Sequence, residues 1–191
     1  MISLRGTMVA LGTLEREDCR ALWEAYEPAE PLPTEPLRPG LSREGADDWF
    51  DDIQRKQGRE QVYLGIWATG GPLVGDIQIA RIDWQARAAD LGVGIARREH
   101  RGRGYGSDAI RVMVRYAFWE LGLHRLSAHV IEHNEAACRC LERVGFQAEG
   151  RQREAIYAGG RRWDRLLYGL LAAEAALAPT FRPPASLDRS V

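Results

Sequence analysis

At 191 residues the chain fits the usual span of about 100–200 residues for one domain, and 45% hydrophobic with 28% charged residues excludes a wholly disordered or collagen-like chain. The 26 basic and 27 acidic residues leave a formal net charge of −1, which argues against a globally basic nucleic-acid binder while allowing a local basic patch. Lys56 is the only lysine, in Gln54-Arg55-Lys56-Gln57-Gly58, so a Walker A loop is excluded and a lysine-bound nucleotide or Schiff base has only this polar setting to use.

Residues 13–26 read as a first helix, with acidic residues early and a partial apolar stripe of Leu14, Ala21, Leu22 and Ala25. Pro28, Pro31, Pro33, Pro36 and Pro39 then impose an extended loop, because proline removes a donor and cannot continue a helix. Residues 45–57 read as a second helix with Trp49, Phe50 and Ile53 on one side. Its Asp47, Asp48, Asp51 and Asp52 fit a solvated face better than a trap for a cationic amine. Residues 61–68, 73–83 and 89–96 read as three strands, with turns at Thr69-Gly70-Gly71-Pro72 and 84–87, which together suggest an antiparallel meander. Trp49, Trp67, Trp84 and Trp163 are expected mainly in the core or at interfaces.

Residues 97–106 form a basic, glycine-rich loop. The clearest helix follows at 107–121, where Ile110, Met113, Val114, Ala117, Phe118 and Leu121 keep the helical period. Ser107 is the expected N-cap and Gly122 the expected C′ residue. Residues 125–131 alternate as a strand, Asn134 caps a helix at 135–144, and Gly145-Phe146 ends it. A hairpin of 152–158 and 162–171 turns at Gly159-Gly160. The expected organisation is one domain over 1–178 and a polar, proline-bearing tail over 179–191.

No apolar run approaches the roughly 18 residues of a membrane span, and residues 1–14 lack the apolar core of a signal peptide, so the expectation is a cytoplasmic protein bound neither to membrane nor to nucleic acid. Cys19, Cys138 and Cys140 are too few for a disulfide framework and read as small buried apolar groups. His129-Val130-Ile131-Glu132-His133 spells the His-x-x-Glu-His metal pattern. That pattern needs a helix to bring both imidazoles to one face, whereas this segment alternates as a strand, so no metal is expected.

The central signal is Arg101-Gly102-Arg103-Gly104-Tyr105-Gly106, between a strand and a helix. Glycines permit tight turning and close approach of backbone to a ligand. The unpaired N–H groups and positive dipole end of the following helix favour phosphate, and Arg97, Arg98, Arg101 and Arg103 add cationic donors. A dinucleotide fingerprint fails on spacing, because Ser107 stands where the third glycine belongs.

These residues resemble a family. Arg101-x-x-Gly104-x-Gly106 is similar to the Arg/Gln-x-x-Gly-x-Gly/Ala motif of the GNAT superfamily, the CoA-dependent N-acetyltransferases. Ala89-Asp90-Leu91-Gly92 to Ile95 resembles its fourth strand, 125–131 its fifth, and Asn134 to Phe146 its Asn-x-x-Ala…Gly-Phe helix. Glu149-Gly150-Arg151 and 164–171 look like the closing hairpin of the Rim-type ribosomal-protein N-terminal acetyltransferases. The likeness covers about residues 62–171. It implies an α/β (α+β) fold: a mixed, mostly antiparallel sheet of six to seven strands, flanked by about four helices and splayed at a cofactor cleft.

The resemblance further implies acetyl-CoA, or another acyl-CoA, as co-substrate without a metal, and direct attack by a primary amine in a ternary complex. Backbone groups of Val93 and Ile95 would hold the pantetheine arm and thioester carbonyl. Arg98, Arg101, Arg103, Gly104, Tyr105, Gly106 and Ser107 would hold the pyrophosphate, and Asn134 would face the cofactor and ordered water. His129, five residues before Asn134, is the first choice of base and Asp90 the second. Leu141 occupies the slot where many relatives place a proton-donating tyrosine. The implied acceptor is a protein N-terminus or a small amine, a polyamine or aminoglycoside being the rival, and a homodimer is left open. From a different class, a non-catalytic acyl-CoA sensor uses the same features.

Overall fold

Strands dominate the middle of the chain because apolar residues there recur at every second position, and a pleated strand turns those to one side. In the computed structural model, which describes residues 3–26 and 42–177, one sheet of eight strands has the order β1-β2-β3-β4-β5-β6-β8-β7. The strands are β1 (Ser3–Arg5), β2 (Val9–Gly12), β3 (Val62–Ala68), β4 (Leu73–Asp83), β5 (Ala88–Ile95), β6 (Arg125–Ile131), β7 (Gln147–Ala158) and β8 (Arg161–Leu171). The helices are α1 (Arg16–Ala25), α2 (Arg43–Lys56), α3 (Tyr105–Arg115), α4 (Glu135–Val144) and α5 (Ala172–Leu177). All strand pairs are antiparallel except β5 with β6.

The sheet separates two cores. On one face Val62, Leu64, Ile66, Ile77, Ile79, Leu91, Leu126, Ala128 and Val130 pack with Ile110, Met113 and Val114 of α3 and Leu141 and Val144 of α4. On the other face Tyr63, Trp67 and Leu73 meet Leu14, Cys19 and Leu22 around α1, and Trp49, Phe50 and Ile53 of α2. Burying each large aliphatic side chain contributes about 1.5–3 kcal/mol. The two faces therefore fix which side of each strand is available to a ligand.

Several expectations shift in detail. The sheet has eight strands rather than six or seven, because the short pair β1 and β2 offers only a few alternating residues, Val9 and Leu11 being buried. α5 follows β8 directly, where the sequence reading has only the end of the domain. α3 begins at Tyr105, capped by the backbone of left-handed Gly104 and not by the Ser107 side chain, and widens into a π turn over Tyr116–Glu120 before Gly122 at φ +66°. β7 starts at Gln147, five residues before the expected 152. Its first residues are exposed on both faces and show no apolar alternation, and two bulges interrupt its register with β8. Trp84 is 48% exposed and donates its indole N–H to the Arg59 carbonyl. The prolines at 28–39 and the tail at 179–191 lie outside the described residues.

Candidate functional site

β5 and β6 are bonded only at Ala88↔Arg125, Ala89↔Leu126 and Asp90↔Ser127, yet β5 runs on to Ile95 and β6 to Ile131. Past Asp90 the two strands part and leave a notch in the sheet. On its other side β5 pairs with β4, and the Ala96 N–H donates to the Val74 carbonyl at 3.0 Å. Antiparallel ladders alternate, so the even residues of β5 bond β4 while the backbone groups of Leu91, Val93 and Ile95 are directed to the notch. Val93 and Ile95 therefore turn their backbone N–H groups into the notch.

α3 starts beside the mouth of this notch. Gly104 sits at φ +90°, ψ −9°, a left-handed conformation that costs an ordinary L residue roughly 1–2 kcal/mol, and a Cβ there would lie 3.2 Å from the Met8 sulfur. A Cβ on Gly106 would stand 4.0 Å from Ile95 Cγ1, so strand end and helix start are adjacent. Gly104 provides no side-chain cap, which leaves the first N–H groups of α3 to bind elsewhere. Arg103 is exposed and Tyr105 half-buried. Arg98 lies in a short 3₁₀ turn, Arg98–His100, exposed to solvent. The Arg101 guanidinium donates to the carbonyls of Ile95 and Ala96, each at 3.0 Å. It braces the end of β5 and occupies the Ile95 carbonyl, leaving that residue's N–H for a ligand.

Two side chains brace the start of α3, in contacts that no local sequence pattern displays. Asp108 is buried and accepts from the backbone N–H of Met8 at 2.7 Å and of Val9 at 3.1 Å, tying the β1–β2 turn to the first turn of α3. Ser107, also buried, places its hydroxyl 3.1 Å from the Cys140 sulfur and so joins α3 to α4. Asn134 caps α4 as expected, accepting from the Ala137 N–H at 3.1 Å.

The opposite face of the notch carries the proposed proton acceptors. Leu126, Ala128 and Val130 are buried toward α3 and α4, so by alternation Ser127 and the exposed His129 face the other way. Asp90 shares that face, and its carboxylate is engaged by Arg81 in an ion pair. Glu132 accepts from the Asp164 N–H at 3.0 Å and from Arg151 at 2.9 Å, which ties the end of β6 to the hairpin. The His133 ring lies 4.2 Å from that of Trp163, so the two histidines of the His-x-x-Glu-His run sit on a strand and in the turn after it, not on one helix.

Leu141 is 4% exposed and belongs to the core of α4. The phenol that does reach α4 is Tyr168 of β8, which donates to Glu142 at 3.0 Å. Burial first, then its bonds with Cys138 and Glu142, push its titration well above the ordinary phenol range. Three of the four aspartates of α2 are matched to cations: Asp47 to Arg20 at 2.7 Å, Asp51 to Arg16 at 2.6 Å, and Asp52 to Lys56 at 2.8 Å. No helix among the described residues is long and apolar enough to cross a membrane.

Comparison with known proteins bears on the same region. The acetyltransferase (GNAT) domain family matches residues 9–147. The chain is 36% identical over 104 residues to YdaF of Bacillus subtilis (strain 168), a candidate ribosomal N-acetyltransferase; the match covers 54% of this chain and 56% of that protein. It is 26% identical over 178 residues to p20 of Bacillus licheniformis, an uncharacterised N-acetyltransferase, over 92% of this chain and 99% of that one. Among solved structures, Mycobacterium smegmatis RimJ in complex with CoA-disulfide superposes with a TM-score of 0.81 at 21% identity, over 94% of this chain and 90% of RimJ. A chimera of the Vibrio cholerae spermidine N-acetyltransferase SpeG and hSSAT superposes with a TM-score of 0.80 at 23% identity, over 90% and 100%.

Proposed function

The chain belongs to the GNAT acetyltransferase family, and from that premise we propose that it transfers an acetyl group from acetyl-CoA to a primary amine. The observation that carries the proposal is the notch beyond Asp90↔Ser127, with the uncapped, glycine-led start of α3 at its mouth. A narrow slot lined by strand backbone suits an extended pantetheine arm, and a helix start suits a pyrophosphate.

In this reading the N–H groups of Arg103, Gly104, Gly106 and Ser107 receive the pyrophosphate. Tyr105 flanks it, and Arg98 and Arg103 neutralise its charge from the exposed side. Arg101 acts indirectly, by holding the end of β5. Val93 and Ile95 donate backbone N–H groups to the arm and the thioester carbonyl, and Asn134 borders the slot from α4. The thioester supplies an acyl group already activated for attack. The amine approaches from the face that bears His129, and His129 takes its proton, directly or through one water; such a positioned base contributes roughly 10²–10⁴ in rate. Asp90, paired with Arg81, ranks behind it. Leu141 cannot donate a proton, so water or release of the thiolate itself completes the transfer.

A protein N-terminus is the leading acceptor, consistent with the ribosomal designations of YdaF and RimJ. A polyamine is the rival, consistent with SpeG. The buried Leu141 favours one further reading, a non-catalytic acyl-CoA sensor. Release of free thiol from acetyl-CoA in the presence of an amine panel decides between them. Amine-dependent release is expected; tight CoA binding without release under any amine overturns the transferase in favour of the sensor.

A further inference from the structure

We infer that a cavity between α1, the β3–β4 turn and the 3₁₀ turn at Arg98–His100 binds a free aliphatic α-amino acid, at a site apart from the notch. The cavity measures about 320 Å³, at the lower end of the roughly 300–1,000 Å³ usual for small-molecule sites. Its apolar wall follows from the sequence of α1. Ala21, Leu22 and Ala25 share one side of that helix. Two of the three end at Cβ, and a recess remains between the helix and Leu73 at the start of β4. Leu22 and Leu73 belong to the core under α1, so the recess is floored by aliphatic side chains.

The rim supplies one group of each sign. Arg97 follows β5, is exposed, and its guanidinium has no partner among the described residues. Glu99 is exposed too, and its carboxylate lies 3.6 Å from His100 Nε2, too far for a hydrogen bond. His100 Nδ1 is shut off from solvent with no hydrogen-bond partner among the described residues. A buried N–H without an acceptor is rare, so the neutral ring keeps its proton on Nε2, free to be donated to a ligand. An α-amino acid matches this set. Its carboxylate takes the Arg97 fork and the His100 donor, its ammonium faces Glu99, and its side chain enters the recess against Leu22 and Leu73. A plain carboxylic acid would set a like charge beside Glu99, and a plain amine would do so beside Arg97. The site is also remote from the chemistry. His129 stands two residues past the Asp90↔Ser127 pair, level with Gly92; Ala96 lies four residues further, about 13 Å at 3.3 Å per residue. The bound ammonium is therefore not the nitrogen that His129 would deprotonate.

The test is calorimetry with L-leucine, 4-methylpentanoate and 3-methylbutylamine, which share one branched chain and carry both charges, the carboxylate alone and the ammonium alone. The parent is expected to bind leucine with a dissociation constant below about 1 mM, and each analogue at least about tenfold more weakly. Arg97→Gln should hold leucine no better than 3-methylbutylamine, and Glu99→Gln no better than 4-methylpentanoate. Ala25→Phe, which fills the recess, should bind none of the three. Arg97 and Glu99 are exposed, so both charge variants should melt as the parent does, and they decide the matter even where Ala25→Phe fails to fold. A parent that binds none of the three, or a leucine preference kept in both charge variants, overturns the inference. Saturating CoA should leave leucine affinity in place; competition between the two would overturn the placement of the site outside the notch. None of these readings needs turnover.

Discussion

Substitution of Gly104 separates backbone strain from charge at the proposed pyrophosphate seat. At φ +90°, ψ −9° alanine carries left-handed strain of about 1–2 kcal/mol, and its Cβ, 3.2 Å from the Met8 sulfur, needs only a small shift of a flexible side chain. Gly104→Ala should therefore lower the melting temperature by about 2–8 °C and leave CoA affinity nearly unchanged, because strain is present with and without ligand. Aspartate tolerates left-handed geometry better than alanine, so Gly104→Asp should be the more stable of the two. Its carboxylate, however, would stand about 5 Å from a bound phosphate. At an effective dielectric near 20 that repulsion approaches about 3 kcal/mol per charge pair before screening, so a loss of roughly 10–100-fold in CoA affinity is expected, partly relieved by salt. Calorimetry with CoA, beside a thermal melt, reads both quantities. A folded Gly104→Asp that binds CoA as the parent does would refute the placement of the pyrophosphate at the start of α3.

Leu141→Ala should destabilise the fold by about 2–5 kcal/mol, the cost of truncating a buried leucine, while turnover per folded molecule holds; unchanged melting with collapsed turnover would assign Leu141 a chemical role. His129→Ala should cut turnover by roughly 10²–10⁴ without weakening CoA binding, since the cofactor is held from β5 and α3; parental turnover would make His129 an ordinary strand residue. Cys19 is buried on the inner face of α1, and desolvation, followed by the nearby Asp18 and Asp76, pushes its thiol up to about 12. Folding therefore favours the protonated thiol. Its contribution is complete below the unfolded value of about 8.5 and is lost as pH rises from there toward 12, so the urea midpoint should fall more steeply with alkaline pH in the parent than in Cys19→Ala. Equal slopes would contradict that burial.

The elements legible in the sequence are those whose periodicity is imposed by one buried face. β4, β6 and α4 begin and end where alternation, the Asn134 cap and the Gly145-Phe146 stop place them. β7 escaped in part because its residues face solvent on both sides and leave no apolar pattern to read. Side-chain preference points to Ser107 as the cap, but Gly104 takes the position through a backbone angle that a sequence displays only as another glycine. Arg101 illustrates a different limit. A cation in a phosphate-type loop reads as a ligand for phosphate, and its bonds to the Ile95 and Ala96 carbonyls, which depend on where β5 ends in space, leave no trace in the local pattern. Asp108 is invisible for the same reason. Its importance comes from the Met8 and Val9 N–H groups, brought opposite it by helix packing.

The two sides of the proposed cleft differ in how firmly they are built, and the difference has a functional logic. Around Gly104, Asp108 fixes the N-terminal turn, Arg101 fixes the end of β5 and Ser107 meets Cys140 of α4. Two of these contacts involve buried groups, where a lost partner leaves a polar atom dry at a cost of about 1–3 kcal/mol. A seat for a constant chemical group gains from such rigidity, because little ordering then remains to be done on binding. On the amine side α1 is tied to α2 by Arg16–Asp51 and Arg20–Asp47. These pairs are partly exposed and worth at most about 1 kcal/mol each, and the sheet beneath is floored by Gly92 and Gly94. Substitution there can alter the acceptor without disturbing the cofactor seat. Changes at Trp23 or Trp49 should therefore shift amine preference while leaving CoA affinity in place, and a charge placed at Gly104 should do the reverse.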